Sequence, residues 1–301
     1  MLYDLIIIGA GPAGITAAVY AARKGMKLLI ITGDIGGQTA LTADIENYIG
    51  YQFISGPELT AKFEEHIKKY EINIAESEKV TGISRKGSLV KVTTEKASYE
   101  SRTAIIATGA HWRELKVPGE TEYKNKGLTY CATCDGPLFA GKDVAIIGGG
   151  NSGLQAAIQM ESIAKRVYLI ERGPDITGDS IIREKIAGKD KVAILTDTKV
   201  TAILGEKMVT GIQISSGGKE KTLSVQGVFV EIGLVPNSGF NSELDKNKRN
   251  EIKISPENET SVPGVFAAGD VTDVSEKQII IAAGEGAKAA LSAFKYLVRQ
   301  K

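Results

Sequence analysis

The sequence of 301 residues predicts an α/β fold of two domains, with the second domain inserted in the first. Short β-branched runs alternate with helical patterns, which is typical of parallel sheets joined by crossover helices. One strand–turn–helix–strand unit occurs twice, and the end of the chain has no such unit of its own. At roughly 150 residues per domain, the length also suggests about two domains.

The first copy of the unit lies at the start of the chain. A strand over residues 5–8 leads into Gly9-Ala10-Gly11-Pro12-Ala13-Gly14, a helix to residue 23 and a second strand over 27–32. This G-x-G-x-x-G spacing is the fingerprint of a Rossmann-like dinucleotide site. Its glycines allow a tight turn, close approach of a pyrophosphate and packing of helix on strand. We expect the phosphates at the helix N-terminus, where free N–H groups and the helix dipole favour negative charge.

The second copy follows the same order. A strand over 144–147 leads into Gly148-Gly149-Gly150-Asn151-Ser152-Gly153, a helix and a strand over 166–171. Each half later has another strand that ends in glycine, at 104–109 and 228–233. A single fingerprint could be a tight turn without a ligand, but two in complete context favour two dinucleotide-type sites. The sequence thus predicts two Rossmann-like dinucleotide-binding domains of the three-layer ββα type.

The end of the chain predicts how the two domains are connected. A strand and turn over 260–270 and a helix from about 278 to 297 have no fingerprint, so we expect them to complete the first domain. The predicted discontinuous domain comprises 1–113 and 243–301, and the predicted insert comprises 114–242.

Composition excludes several classes of protein. The 37 Lys and Arg against 36 Asp and Glu give a net charge of +1, which argues against a nucleic-acid partner. No apolar stretch reaches the ~20 residues of a membrane helix, so no membrane partner is expected. The N-terminal apolar run has no basic flank and breaks at Gly9, which favours a first strand over a signal peptide and predicts a cytoplasmic location.

Both cysteines of the chain lie in one motif, Cys131-Ala132-Thr133-Cys134-Asp135. Two cysteines are too few for an iron–sulfur cluster, and with only two histidines a zinc site is a poor explanation, so no metal is expected. A bridge between residues three apart restricts the unfolded chain very little, which argues against a structural disulfide. The spacing therefore predicts a redox dithiol. Asp135 could exchange protons with the thiols, or it could simply cap a turn.

Taken in order, these motifs resemble the low-molecular-weight thioredoxin reductases, which belong to the two-domain flavoprotein disulfide reductases. The likeness covers nearly the whole chain. It is carried by the first fingerprint, Gly36-Gly37-Gln38, Ile45-Glu46-Asn47-Tyr48, Ala107-Thr108-Gly109, the cysteine motif, Gly233-x-x-Pro236-Asn237 and Ala268-Gly269-Asp270.

The resemblance implies FAD in the discontinuous domain. Asp270 would accept hydrogen bonds near the ribityl chain or phosphates, and a helix starting at Gln278 would point its N-terminus at the flavin. The cofactor-binding residues that the resemblance implies are Gly9, Gly11, Pro12, Ala13, Gly14, Gly37, Gln38, Asn47, Val80, Ala107, Thr108, Gly109, Gly269, Asp270, Gln278 and Ile279.

The same resemblance implies the catalytic roles. Cys134 would take electrons from the flavin, Cys131 would attack the disulfide of thioredoxin or a thioredoxin-like protein, and Asp135 would be the acid/base. Members of the family are homodimers, and their inserted domain rotates so that it alternately exposes the cysteines to thioredoxin and presents pyridine nucleotide to the flavin.

The electron donor is the point at which the sequence departs from the family. The acidic pair of NADPH-dependent members is absent from the helix after the second fingerprint, and of their His-Arg-Arg run only Arg172 is kept, with Glu171 at the histidine position. Glu171 could bind a ribose 2′-hydroxyl, which indicates NADH, and its charge makes NADPH the least favoured donor. Because two separate elements have changed, we favour reduced ferredoxin, which a group of similar reductases uses. Candidates for a basic docking patch are Lys185, Lys189 and Lys191.

Two other functions stay open at this stage. The chain could be a flavin-bound redox sensor whose dithiol does not turn over. It could also be a ferredoxin–NADP-type flavoenzyme, although that chemistry does not need the Cys-x-x-Cys motif.

Overall fold

The computed structural model describes residues 1–42 and 44–300. The chain forms two compact units, and the second, Trp112–Leu234, is inserted in the first, which runs over Met1–His111 and again from Val235. The sequence prediction put the transitions at 114 and 242. Asn237 lies with the first unit because its N–H donates to the Gly109 carbonyl (2.9 Å) and its carbonyl accepts from the Thr108 hydroxyl (2.7 Å).

The strands are β1 (Leu2–Ala10), β2 (Leu28–Ile35), β3 (Asp44–Ile45), β4 (Ile54–Ser55), β5 (Asn73–Ala75), β6 (Val80–Lys86), β7 (Leu89–Thr94), β8 (Ser98–Ile106), β9 (Ala110–Trp112), β10 (Leu128–Thr129), β11 (Asp143–Ile147), β12 (Arg166–Ile170), β13 (Val192–Leu195), β14 (Thr198–Gly205), β15 (Val209–Ser216), β16 (Lys219–Ser224), β17 (Gly227–Val230), β18 (Leu234–Pro236) and β19 (Val265–Ala267). The helices are α1 (Pro12–Arg23), α2 (Gly56–Ile67), α3 (Ala132–Asp135), α4 (Asn151–Ile163), α5 (Ser180–Ile186) and α6 (Ile279–Arg299), with 3₁₀ turns at Gly37–Leu41 and Gly136–Phe139.

The main sheet of the first unit has the strand order β5-β2-β1-β8-β7-β6, and β19 also pairs with β8. Alternation along β1 sends side chains to opposite faces of the sheet. Leu5 and Ile7 pack on the face covered by α1 and α6, whereas Ile6 and Ile8 pack on the other face with the valines of β6 and β7. The predicted strand-and-turn near the end of the chain is β19, which returns to this sheet beside β8.

The second unit repeats this layering. Its parallel sheet has the order β10-β17-β11-β12-β13. Val144 and Ile146 pack on the face covered by α4, and Ala145 and Ile147 pack against the antiparallel sheet β14-β15-β16. Each unit therefore has a helical layer, a parallel sheet and antiparallel strands, and the predicted fold class is confirmed.

Among the described residues, no helix combines the length and the apolar character that crossing a bilayer requires.

The close contact of α1 with α6 generates a test of the core of the first unit. A Cβ on Gly286 would lie 2.0 Å from the Ala13 carbonyl oxygen, so Gly286→Ala must push two helix backbones apart. We expect Gly286→Ala to lose about 1–3 kcal/mol of stability, read as a lower midpoint of thermal unfolding by far-UV circular dichroism.

The matched control lies two residues away in the same helix. Gly284 is exposed, and a Cβ there would meet no atom of the described residues within 4 Å. Because alanine favours helix over glycine by ~1 kcal/mol, Gly284→Ala should keep or raise the midpoint. Equal losses in the two variants would contradict the proposed packing.

Candidate functional site

The first glycine turn is a place where the backbone leaves no room for side chains. Gly9 has φ +103°, and a Cβ there would lie 2.4 Å from the Ala107 carbonyl oxygen. A Cβ on Gly14 would lie 1.9 Å from the Gly9 carbonyl oxygen. The turn therefore requires glycine at both positions, and it holds the start of α1 directly over the ends of β1 and β8.

The N-terminus of α1 lies beside a second glycine-containing loop. Gly11 is the N-cap residue, and no side chain of the described chain caps the helix there. Gly37 faces it so closely that a Cβ on Gly37 would lie 3.6 Å from Gly11 Cα. Free N–H groups at the start of a helix, beside a second glycine loop, form a cradle that fits a pyrophosphate.

Asp270 lies beside this cradle. It follows Gly269, at which a Cβ would lie 3.1 Å from Ala13 Cβ, so the 269–270 turn packs on the first turn of α1. Burial raises the pKa of the Asp270 carboxyl, and the Lys277 ammonium opposes that rise. Within residues 1–42 and 44–300, Asp270 makes no hydrogen bond, which leaves its carboxylate able to accept bonds from ligand hydroxyls.

The other residues that the resemblance implies lie in the same unit. Asn47 donates through Nδ2 to Gln278 Oε1 (3.1 Å), and Gln278 is the N-cap of α6, which begins at Ile279. Gln38 donates to the Ala110 carbonyl. Val80 differs from these residues, because its side chain is buried in the hydrophobic core on the sheet face opposite α1.

The two cysteines form a disulfide in the second unit. Cys131 is the N-cap of the short helix α3, its Cα lies 5.3 Å from that of Cys134, and its Sγ accepts the Cys134 N–H at 3.2 Å. Both residues are half-buried. Asp135 lies at the end of the same turn, where its N–H donates to the Cys131 carbonyl (3.1 Å) and its carboxylate accepts from the Thr129 hydroxyl.

A second carboxylate, Glu231, reaches this motif and was missed in the sequence. Strands β10 and β17 run parallel with Thr129 beside Phe229, so Cys131 and Glu231 leave the same edge of the sheet. The Ala132 N–H donates to Glu231 Oε1 at 3.1 Å. Burial raises the pKa of Glu231 to about 7, although the Ala132 N–H opposes the rise. The available signal was a charged residue within the otherwise apolar run 228–232.

The second fingerprint has the same backbone geometry as the first. Gly148 has φ +122°, and a Cβ there would lie 2.4 Å from the Glu231 carbonyl oxygen. A Cβ on Gly153 would lie 1.8 Å from the Gly148 carbonyl oxygen. The turn between β11 and α4 is therefore built for close packing, as the repeated motif predicts.

The loop after β12, however, bonds to this turn. Glu171 Oε2 accepts the Gly149 N–H at 2.6 Å, and Oε1 accepts the Gly173 N–H at 2.8 Å. The N–H groups of Thr177 and Gly178 both donate to the Gly149 carbonyl at 3.0 Å. Gly149, which lies between the first and second glycines of this fingerprint, thus has its backbone N–H and carbonyl already bonded within the chain.

Known proteins with similar sequences and structures share this two-unit fold. The profile of the pyridine nucleotide-disulphide oxidoreductase family matches residues 3–286. The structure is similar to thioredoxin reductase from Streptococcus pyogenes, with a TM-score of 0.94, 39% identity and 99% of each chain covered. It is also similar to a ferredoxin-flavin thioredoxin reductase from Clostridium acetobutylicum, with a TM-score of 0.55, 31% identity and 99% of each chain covered.

In sequence, the chain is 46% identical to alkyl hydroperoxide reductase F from Staphylococcus epidermidis over 301 residues, which is 99% of this chain and 59% of that protein. The chain thus spans about three fifths of the length of the curated relatives that it matches. With a family profile that matches almost the whole sequence, the chain belongs to the pyridine nucleotide-disulphide oxidoreductase family.

Proposed function

We propose that the chain is an FAD-dependent disulfide reductase that passes electrons through Cys131 and Cys134 to thioredoxin or a thioredoxin-like protein. The observation that carries the proposal is the half-buried disulfide with Asp135 at the end of the same turn. The thioredoxin reductases among the similar structures support it. A homodimer, which the resemblance implies, and a cytoplasmic location, which the sequence predicts, remain predictions.

The first unit supplies residues that fit FAD. Gly11 and Gly37 would hold the pyrophosphate, because glycine has no side chain to keep the phosphates away from the backbone. Asp270 would accept hydrogen bonds from hydroxyl groups of the cofactor. Gln278 and Asn47 would lie along the isoalloxazine side of the site. When bound, FAD supplies the ability to accept electrons from a donor and to deliver them in pairs to a disulfide.

The dithiol supplies the exchange chemistry. In the reduced chain, the Cys131 thiolate attacks one sulfur of the partner's disulfide, which forms a mixed disulfide and releases the other partner sulfur as a thiolate. Cys134 then attacks Cys131 Sγ, so that the 131–134 disulfide returns and the partner leaves with two reduced sulfurs. Asp135 would accept the proton that Cys134 loses and deliver it to the leaving thiolate.

For the donor we propose a reduced ferredoxin-type carrier. Two elements of the nucleotide site have changed, since the helix after the second fingerprint lacks the acidic pair and Glu171 stands at the histidine position of the arginine run. The Glu171 carboxylate, which accepts the Gly149 N–H, would also repel a 2′-phosphate. NADH is the second candidate, because Glu171 lies where a carboxylate can accept a ribose 2′-hydroxyl.

The three candidate docking lysines differ in what they already bind. Lys189 pairs with Glu161 (3.6 Å), and Lys191 donates to the Glu161 carbonyl (3.2 Å). This leaves Lys185, near the end of α5, as the candidate most available to an acidic partner.

Replacing one cysteine tests the function directly. Cys131→Ser removes the thiol that attacks the partner, so thioredoxin reduction should fall by about three orders of magnitude or more. The variant should keep its bound flavin, seen as a visible absorbance band, since the flavin site lies in the other unit. Reduction of thioredoxin by the variant at the wild-type rate would refute the assignment of Cys131. A wild-type chain that binds flavin but does not reduce thioredoxin would instead favour the redox-sensor hypothesis.

Anaerobic reduction tests the donor. We expect reduced ferredoxin to bleach the flavin band at least about a hundredfold faster than the same micromolar concentration of NADH or NADPH, because the second unit lacks the acidic pair and most of the arginines that the resemblance assigns to nucleotide binding. Stopped-flow absorbance gives the three rates. Rapid bleaching by NADH alone would assign Glu171 to the ribose and overturn the ferredoxin proposal.

A further inference from the structure

Glu231 is an acidic side chain that the proposed exchange chemistry does not use. Its Oε1 accepts the N–H of Ala132 at 3.1 Å. That nitrogen is bonded to the carbonyl carbon of Cys131, so the carboxylate lies against the peptide bond that joins Cys131 to the first residue of α3. Parallel pairing of β10 with β17 holds the two segments side by side.

The charge of Glu231 has no basic partner in the part of the chain that the structure describes. The other carboxylates that leave this edge of the sheet have their own donors, the Thr129 hydroxyl for Asp135 and two backbone N–H groups for Glu171. Arg172, which follows Glu171, is exposed. Among residues 1–42 and 44–300, no lysine or arginine forms an ion pair with Glu231.

We propose that Glu231 is a positioning residue that couples uptake of a proton to reduction of the Cys131–Cys134 disulfide. Two electrons from a reductant break the S–S bond, one proton joins one sulfur, and the other sulfur becomes a thiolate. The new negative charge disfavours the nearby carboxylate, and Glu231 takes up the second proton. This inference rests on the proposed function, in which the pair is reduced and reoxidised.

The sign of the pH dependence follows from the two states of the chain. In the oxidised chain, Glu231 loses its proton near pH 7. In the reduced chain the thiolate raises the pKa of Glu231 further, so between the two pKa values the reduced chain binds more protons. Above pH 7 the carboxylate therefore makes the disulfide harder to reduce, and at pH 6 and below its effect disappears.

The test measures the reduction equilibrium of the full chain in dithiothreitol redox buffers from pH 6 to 8.5, with thiols counted by alkylation and mass spectrometry. Glu231→Gln removes the charge and keeps an oxygen that can accept the Ala132 N–H. Its equilibrium constant for reduction should equal that of the wild type at pH 6 and exceed it by up to about tenfold at pH 8, which is ~30 mV for a two-electron couple.

The matched control is Glu184→Gln, which makes the same charge change at an exposed position on α5 and should follow the wild type at every pH. A Glu231→Gln shift that is absent, or equal at every pH, overturns the coupling while the proposed function stands. A disulfide that dithiothreitol cannot reduce in any of these proteins overturns both.

A second measurement needs no change at Glu231. The reduced-minus-oxidised infrared difference spectrum of the wild type at pH 7.5 should show the gain of a protonated carboxyl band, and Asp135→Asn should keep it. Loss of the band in Asp135→Asn, or its absence from the wild type, would overturn the assignment to Glu231.

Discussion

The other features of the structure depend on one constraint, which is the direct contact of a glycine with a backbone carbonyl. Each unit has this contact at the turn from the first strand of its parallel βαβ motif to the helix that follows. Gly14 packs on the Gly9 carbonyl, and Gly153 packs on the Gly148 carbonyl, each too closely for a Cβ. These contacts bring a helix N-terminus to the carboxyl edge of a parallel sheet. That arrangement favours the binding of phosphate groups, and it occurs once in each unit.

The two units use this edge differently. In the first unit, the N-terminus of α1 has no side-chain cap among the described residues, and the Asp270 carboxylate lies beside it for a ligand. In the second unit, Glu171 bonds to the corresponding turn, and the same edge carries Cys131 and Glu231. One duplicated architecture therefore offers a cofactor cradle in one copy and a redox disulfide in the other.

Features that depend on short stretches of sequence were predictable. Alternating apolar residues fix the faces of β1 and β11, and the glycine spacing fixes both turns, because each is determined within about ten residues. Features that depend on side chains from distant segments were not. The bond from Glu231 to Ala132 joins residues 99 positions apart, and the bonds from Glu171 depend on how the loop after β12 folds. Burial of Val80 in the core likewise depends on how the β6–β7 hairpin packs.

The central claim is that one flavin and one disulfide of this chain belong to a single electron path. Anaerobic titration with dithionite tests it most directly, because each redox centre accepts two electrons. We predict that full reduction of the wild-type chain takes about four electrons per bound flavin, and that a variant with both Cys131→Ser and Cys134→Ser takes about two. Equal electron uptake by the two proteins would contradict the claim.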